Sequence, residues 1–170
     1  KMLKIMTSIA ADFDNYNFVI AGMSFLPKEL YSFALTFPNV QIIYDDTYSL
    51  LKQATVAIVT SGTATLETAL FKVPQIVCYK TNPLTFALGK RLVKVKYVSL
   101  VNLILGKEAV KELLQNELNQ QNLKNELQKI LEPPTRNTIL ENYNQLQQLI
   151  GKDGASERIA YKMLSYLKKS

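Results

Sequence analysis

Short apolar runs alternate with segments of helical periodicity along the first half of the chain. Four runs consist mainly of β-branched and other apolar residues, at 18–21 (FVIA), 40–44 (VQIIY), 56–59 (VAIV) and 75–79 (QIVCY). Helical patterns precede and separate these runs, at 1–11, 27–37, 47–54 and 65–71. Continuous apolar strands that alternate with helices are typical of a parallel sheet buried on both faces. The first half of the chain therefore predicts an α/β fold.

The pattern changes after Pro83, where helical periodicity continues but the strand signal largely ends. Helices are predicted at 84–93, 107–115, 122–131, 135–150 and 155–167. The two halves together predict a Rossmann-like parallel sheet with helices on both faces, followed by a helical C-terminal tail. We place the boundary after residue 131, which gives a domain of residues 1–131 and a tail of residues 132–170.

The composition narrows the chemistry that the chain can carry out. Its 170 residues are 48% apolar, and they include no histidine and one cysteine, Cys78, within an apolar strand pattern. Without histidine the chain lacks the commonest catalytic base and the commonest metal ligand, so we expect no metal site. A single cysteine excludes a disulfide within the chain, and we expect Cys78 to be buried. Because Lys1 already lies in a helical pattern, we also expect these residues to be a piece of a longer protein.

The stretch VTSGTATLETAL, residues 59–70, joins the third predicted strand to a helix. In parallel α/β sheets, ligands bind at the carboxyl ends of the strands, where the N–H groups that begin a helix lack partners. Ser61, Gly62 and Thr63 stand at such an end. Glycine lets ligand oxygens approach the backbone, and the hydroxyls add hydrogen-bond donors. We interpret the three residues as an anion site suited to a diphosphate.

Glu67 follows one helical turn later and has two interpretations. A capping box would need serine or threonine three residues earlier, where the chain has Ala64. A carboxylate that no cap uses is free to accept hydrogen bonds from a pair of sugar hydroxyls. The alternative is a solvated acid near the start of an ordinary helix, where the helix dipole favours it. The residues alone leave both interpretations open.

Basic residues are concentrated in residues 80–111, which hold seven lysines and arginines against one acid, Glu108. Phe86, Lys90 and Lys94 are spaced four residues apart and would share one helical face, if the helix predicted at 84–93 continues by one residue. They are our candidates for contact with an anionic lipid surface. Leucines four residues apart on that helix fit a side that faces the core. No helix-turn-helix, RNA-recognition or zinc motif accompanies the charge, so we expect no nucleic-acid partner.

Glu108 and Glu112 lie four residues apart in the helix predicted at 107–115, and they would therefore share a face. Paired carboxylates suit acid–base chemistry on sugars. The alternative is that both acids are solvated partners of neighbouring lysines. If either acid is functional, we favour a contact with a sugar hydroxyl.

Two segments carry a family resemblance, SGTATLETAL at 61–70 and VPQIVCYKTNPLTFALGKRLVKVKYVSLVNLILGKEAVKELLQ at 73–115. They closely resemble lipid-A-disaccharide synthase, a bacterial glycosyltransferase of the two-domain GT-B architecture, and GASE at 154–157 continues the match. Val101 stands where the family motif SLPN has proline, and Lys80 and Lys107 stand where arginine is usual. The family's PGSR motif is absent from these residues, as is the N-terminal domain that holds its proposed catalytic aspartate.

The resemblance implies that residues 1–131 bind the donor, UDP-2,3-diacylglucosamine, as one half of a GT-B fold. The acceptor would be 2,3-diacylglucosamine 1-phosphate, the new linkage β-1,6, and no cofactor would be needed. The enzyme would work in the cytoplasm at the inner membrane of a Gram-negative bacterium. Residues 132–170 would pack toward the N-terminal domain, and a homodimer stays open.

Carried over residue by residue, the resemblance gives roles to five positions. Ser61, Gly62 and Thr63 would contact the diphosphate, Glu67 the ribose hydroxyls, and Asn102 the wall of the cleft. Lys80 and Glu108 are further candidates for a contact with the sugar or the lipid. No catalytic residue is expected within the chain, so these 170 residues alone should be inactive. A different class of function also stays open, a non-catalytic α/β module that binds a nucleotide or a membrane surface.

Overall fold

A computed structural model describes residues 2–82, residues 96–151, and Ala160, Tyr161, Met163 and Tyr166. The helix predicted at 84–93 lies outside the described residues, and so does most of the helix predicted at 155–167. Of the latter segment, the four described residues are helical.

The four predicted strands are confirmed, and the described residues contain a fifth. The strands are β1 (Phe18–Gly22), β2 (Val40–Tyr44), β3 (Ala57–Thr60), β4 (Gln75–Tyr79) and β5 (Lys111–Leu114). All pairings between them are parallel, as predicted.

The helix predicted at 107–115 is wrong, because β5 occupies its second half. The residues of the sequence KELL have high intrinsic helix propensity. In the fold, however, they form a parallel ladder with β4, in which Ile76 pairs with Lys111 and Tyr79 with Leu114. Glu112 and Leu113 are buried in that position. Tertiary pairing has overridden the local preference.

Apart from the helix at Leu100–Leu105, which the pattern did not predict, the described α-helices lie within or close to predicted helical segments. They are α1 (Met2–Thr7), α2 (Thr47–Gln53), α3 (Thr63–Leu70), α4 (Leu100–Leu105), α5 (Gln120–Leu131) and α6 (Pro133–Ile150). Asp46 caps α2 by accepting a hydrogen bond from the Ser49 N–H at 3.4 Å. Helix α1 ends earlier than the predicted segment 1–11 and is followed by a 3₁₀ turn at Ala10–Asp12.

The helix predicted at 27–37 is replaced by two 3₁₀ segments, Lys28–Leu30 and Ser32–Thr36. Hydroxyl groups explain part of the difference. The Ser32 hydroxyl donates to the Glu29 carbonyl at 2.9 Å, and the Thr36 hydroxyl donates to the Phe33 carbonyl at 2.8 Å. Such local bonds compete with the i to i−4 ladder of an α-helix and favour tighter turns.

The five strands form two sheets rather than one. Strands β1 and β2 form a two-stranded sheet, and β3, β4 and β5 form a three-stranded sheet in that order. Ile76, Val77 and Cys78 of β4 are fully buried. Because successive side chains of a strand point to opposite faces, both faces of β4 are covered.

One apolar cluster joins most of the described elements. It includes Met6 of α1, Ile76 of β4, Leu127 of α5 and Tyr143 of α6. The helix that begins the predicted C-terminal tail therefore packs on the same core as the sheet. Among the described residues, no helix is both long enough and apolar enough to cross a membrane.

Cys78 is fully buried in this core, as predicted. Burial raises the pKa of its thiol to about 12, because the apolar surroundings disfavour the thiolate. At neutral pH the group is a protonated thiol without access to water, so it is a packing residue rather than a nucleophile.

Candidate functional site

The carboxyl ends of β3, β4 and β5 meet at one edge of the three-stranded sheet. Thr60 pairs with Cys78, and Tyr79 pairs with Leu114. The turn of Ser61, Gly62 and Thr63 follows β3 directly, and Lys80 follows β4. The structure therefore brings four of the predicted site residues to the edge where parallel α/β sheets bind ligands.

Gly62 gives this turn its open side. It is the N-cap residue of α3, and it supplies no side-chain cap. Its backbone has φ 152° and ψ −164°, a conformation that residues other than glycine rarely adopt. A Cβ added at Gly62 would meet no atom of the described residues within 4 Å. The first N–H groups of an α-helix have no partner inside the helix, and those of α3 begin at this turn. Such a helix start attracts anions.

Ser61 holds the turn in place. Its N–H donates to the Cys78 carbonyl at 3.1 Å, and its hydroxyl donates to the Val98 carbonyl at 2.8 Å. The hydroxyl proton is therefore committed to the protein. Thr63 is exposed at the start of α3, which leaves the Thr63 hydroxyl and the backbone N–H groups as the donors best suited to an anion.

Glu67 lies one turn into α3, on the same face as Thr63, since residues four apart share a helix face. Its side chain is partly buried. A capping box is excluded, because the N-cap residue Gly62 has no side chain. The threonines Thr65 and Thr68 are buried, and their hydroxyls donate to carbonyls of the helix start, Gly62 at 2.8 Å and Ala64 at 2.7 Å.

Asn102 is fully buried, and both polar atoms of its side chain form hydrogen bonds within the fold. Its Nδ2 donates to the Val110 carbonyl at 2.8 Å and to the Glu112 carboxylate at 2.9 Å. Its Oδ1 accepts from the N–H groups of Ala109 at 2.8 Å and Val110 at 2.9 Å. These bonds occupy both donors and both lone pairs of an amide side chain. In this structure Asn102 fastens α4 to the start of β5.

Glu112 is the residue that the sequence interpretation misplaced. The paired-carboxylate interpretation is wrong, because Glu112 lies in β5 and Glu108 lies before it, so the two do not share a helix face. Glu112 is 7% exposed. Its carboxylate accepts hydrogen bonds from the N–H of Val98 at 3.0 Å, and from the N–H and hydroxyl of Ser99 at 2.9 and 2.8 Å.

These bonds connect Glu112 to the turn at Ser61. The N–H of Val98 donates to the Glu112 carboxylate, and the carbonyl of Val98 accepts from the Ser61 hydroxyl. We call Glu112, Asn102, Val98 and Ser99 the Glu112 clamp. No sequence pattern predicted it, although Ser99 is a visible N-cap residue for α4, where its hydroxyl accepts from the Asn102 N–H.

Glu108 is not brought to the turn. It is exposed and pairs with Lys111 at 3.0 Å, and this carboxylate raises the pKa of the Lys111 ammonium. It lies before the amino end of β5, where it helps to line a groove of about 450 Å³ with Gln75 of β4. Amino ends of parallel strands lie at the opposite edge from carboxyl ends, so Glu108 and the Ser61–Thr63 turn are at opposite edges of the sheet.

Three of the predicted contacts, Phe86, Lys90 and Lys94, lie outside the described residues. Within the described ranges, no group of three or more cysteine, aspartate or glutamate side chains is arranged to hold a metal ion.

The Glu112 clamp predicts that replacing Glu112 destabilises the fold much more than replacing the nearby acid Glu108. Glu112→Gln should lower the free energy of unfolding by about 2–4 kcal/mol, because a charged acceptor of several hydrogen bonds is replaced by an amide whose NH₂ faces donors. Glu108→Gln, on the exposed side of the same segment, should change it by less than about 0.5 kcal/mol. Urea unfolding followed by circular dichroism measures both, and equal stability of the two variants would contradict the clamp.

The family model and the curated proteins that match this chain all describe the same family. The family model described as lipid-A-disaccharide synthetase matches residues 1–164. A lipid-A-disaccharide synthase of Syntrophus aciditrophicus (strain SB) is 40% identical over 134 residues, which are 78% of this chain and 35% of that protein. The synthase of Sulfurihydrogenibium sp. (strain YO3AOP1) is 36% identical over 145 residues, or 85% and 37% of the two chains.

A third relative, the lipid-A-disaccharide synthase of Neisseria meningitidis serogroup C, is 44% identical over 108 residues, or 63% of this chain and 28% of that protein. The chain thus spans about a third of the length of these curated relatives. Because the family model covers both the parallel sheet and the turn at its carboxyl edge, the chain belongs to the lipid-A-disaccharide synthetase family.

Proposed function

We propose that this chain is the donor-binding half of a glycosyltransferase that makes the lipid A disaccharide. The observation that carries the proposal is the turn at Gly62, which begins α3 without a side-chain cap at the carboxyl ends of a parallel sheet and has no other described residue within 4 Å of a Cβ placed there. The donor would be UDP-2,3-diacylglucosamine and the acceptor 2,3-diacylglucosamine 1-phosphate. The family membership supports this choice of substrates.

The diphosphate of the donor would lie against the start of α3. There the free backbone N–H groups and the Thr63 hydroxyl would donate to the phosphate oxygens. Ser61 would act by holding the turn rather than by giving its proton to the ligand, since that proton is bound to Val98. Lys80, exposed at the end of the neighbouring strand, would add a compensating positive charge.

Glu67 would accept hydrogen bonds from the two ribose hydroxyls. Its position supports this role, because it lies one turn from the anion site and on the face of α3 that carries Thr63. A carboxylate accepts from two vicinal hydroxyls at once, and it does so more strongly than a neutral group.

The reaction would be a direct displacement at the anomeric carbon of the donor sugar. The acceptor hydroxyl attacks that carbon, the bond to the diphosphate oxygen breaks, and UDP leaves as an anion. The helix start at Gly62 and Thr63 would stabilise the charge that develops on the leaving UDP. The base that removes the proton of the acceptor hydroxyl would come from outside this chain.

Acyl chains on both substrates require access to a membrane. We propose that the face of Phe86, Lys90 and Lys94 contacts the anionic inner membrane from the cytoplasmic side. The excess of positive charge in residues 80–111 supports this assignment.

Replacement of Glu67 tests the proposed site. Glu67→Gln keeps the shape of the side chain but removes a charged acceptor, which contributes about 1.5–3 kcal/mol per hydrogen bond. UDP should therefore bind roughly ten- to hundredfold more weakly, while the melting temperature stays nearly unchanged. Isothermal titration calorimetry gives the affinity, with Glu108→Gln as the control that removes an acid at the other edge of the sheet. Unchanged UDP affinity in Glu67→Gln would contradict the ribose contact and favour the alternative, in which Glu67 is a solvated acid.

The isolated chain should bind donor without turning it over. Supplied with UDP-2,3-diacylglucosamine and the acceptor lipid, the 170 residues should give no detectable disaccharide. A GT-B enzyme holds both substrates between two domains, and such orientation contributes roughly 7–11 kcal/mol to lowering the barrier. Thin-layer chromatography of the lipid products measures the outcome. Robust turnover by the chain alone would show that its catalytic residues lie within these 170 residues.

A further inference from the structure

We propose that Tyr48, Leu70 and Phe71 form a platform for the base of the bound nucleotide, with the ring of Tyr48 as the surface on which the base stacks. We call these three residues the Tyr48 platform. The inference rests on the proposed function and deepens it, because it adds a contact for the base to those of the diphosphate and the ribose. Three observations carry it: the aromatic stack, the exposure of its outer face, and its position along α3.

The aromatic stack joins the start of α2 to the end of α3. Tyr48 lies in the first turn of α2, and Phe71 is the C-cap residue of α3. Their rings are stacked, with centroids 5.5 Å apart and planes inclined by 19°. Because Phe71 supports the Tyr48 ring from one side, the plane of that ring is held without any ligand. The stack is therefore a flat surface that is already oriented.

The outer face of the stack is open to solvent. Tyr48 is 58% exposed although Phe71 covers one face of its ring, so the exposed area includes the opposite face. Leu70, next to Phe71 in the chain, is 48% exposed and extends the apolar surface. Nucleic-acid bases stack on exposed aromatic rings of this kind, because every base has a π-face.

Tyr44, an aromatic residue at the end of β2, is less suited to this role. Tyr31 packs edge-on against the Tyr44 ring, with centroids 5.9 Å apart. The ammonium group of Lys28 lies 5.9 Å from the centroid of the same ring. The Tyr44 ring therefore already has two partners within the fold, whereas the outer face of Tyr48 is exposed.

The order of groups along α3 matches the order of groups in a nucleoside diphosphate. Thr63, Glu67 and Phe71 are four residues apart, which puts them on one side of the helix at intervals of about 6 Å. The Phe71 N–H donates to the Glu67 carbonyl at 3.1 Å, so the helical geometry continues to Phe71.

In UDP the ribose joins the diphosphate to the base. With the diphosphate at Thr63 and the ribose hydroxyls at Glu67, a nucleotide that extends along α3 brings its base to Phe71 and Tyr48. The Tyr48 platform then adds affinity and fixes the direction in which the nucleotide lies. Stacking accepts any base, so the platform favours uracil and adenine alike.

Replacement of Tyr48 separates the base contact from the anion contact. Tyr48→Ala removes the stacking surface, so UDP should bind roughly fivefold to a hundredfold more weakly. Tyr48→Phe keeps the ring and should bind UDP about as tightly as the unchanged chain. Inorganic pyrophosphate has neither ribose nor base, and its affinity should be the same in all three proteins. Isothermal titration calorimetry measures these affinities.

Phe25→Ala is the matched control, because it removes an aromatic ring that is 76% exposed on the loop after β1. This variant should bind UDP as the unchanged chain does. Unchanged UDP affinity in Tyr48→Ala, with normal pyrophosphate binding, would overturn the platform and leave the anion site standing. Equal losses of UDP and pyrophosphate affinity would also overturn it, since Tyr48 would then act through the fold. If the unchanged chain binds neither ligand, the proposed function fails and the platform fails with it.

NMR of the UDP complex gives a readout that does not depend on a variant. The H5 and H6 protons of uracil should show nuclear Overhauser effects to the ring protons of Tyr48, and the Tyr48 ring signals should shift upfield beneath the base. ADP should give the same contact from its adenine protons. Base protons that contact other residues and not Tyr48 would overturn the proposal, even if UDP shifts the amide of Gly62.

Discussion

The candidate site depends above all on the parallel pairing of β4 with a strand on each side. Among the described strands, β4 alone pairs on both edges, with β3 and with β5. Parallel ladders bring the carboxyl ends of all three strands to one edge, so the turn after β3 and Lys80 after β4 become neighbours. The complete burial of Ile76, Val77 and Cys78 holds that arrangement, because these side chains pack on both faces of the sheet and a slip in register would disrupt that packing.

The Glu112 clamp then holds Val98 and Ser99 in place next to the turn that follows β3. A buried carboxylate is costly unless donors surround it, and here two backbone N–H groups, a hydroxyl and an amide satisfy it. The strong preference of the charge for these donors orders Val98 and Ser99, and the Val98 carbonyl in turn orients the Ser61 hydroxyl. The shape of the Ser61–Thr63 turn therefore depends on an acid from β5 as well as on Gly62 itself.

Sequence patterns predicted the parts of the fold that local residues determine. The first four strands are continuous apolar runs, and the turn at Gly62 could be located because a strand, a glycine and a helix follow one another directly. Strand β5 was missed because KELL is a good helical sequence and the free edge of β4, far away in the chain, decides its conformation. The roles of Asn102 and Glu112 could not be predicted for the same reason, since their partners come together only in the folded chain.

The central claim is that the start of α3 binds a nucleoside diphosphate, and a titration of the chain with UDP and UMP, followed by amide chemical shifts, tests it most directly. UDP should shift the amide signals of Gly62, Thr63 and Ala64 and saturate, and UMP, which lacks the second phosphate, should shift them less and bind more weakly. ADP in parallel reports whether the base is recognised as well as the diphosphate. If UDP leaves these three signals in place while shifting others, or shifts none, the turn at Gly62 does not bind the diphosphate.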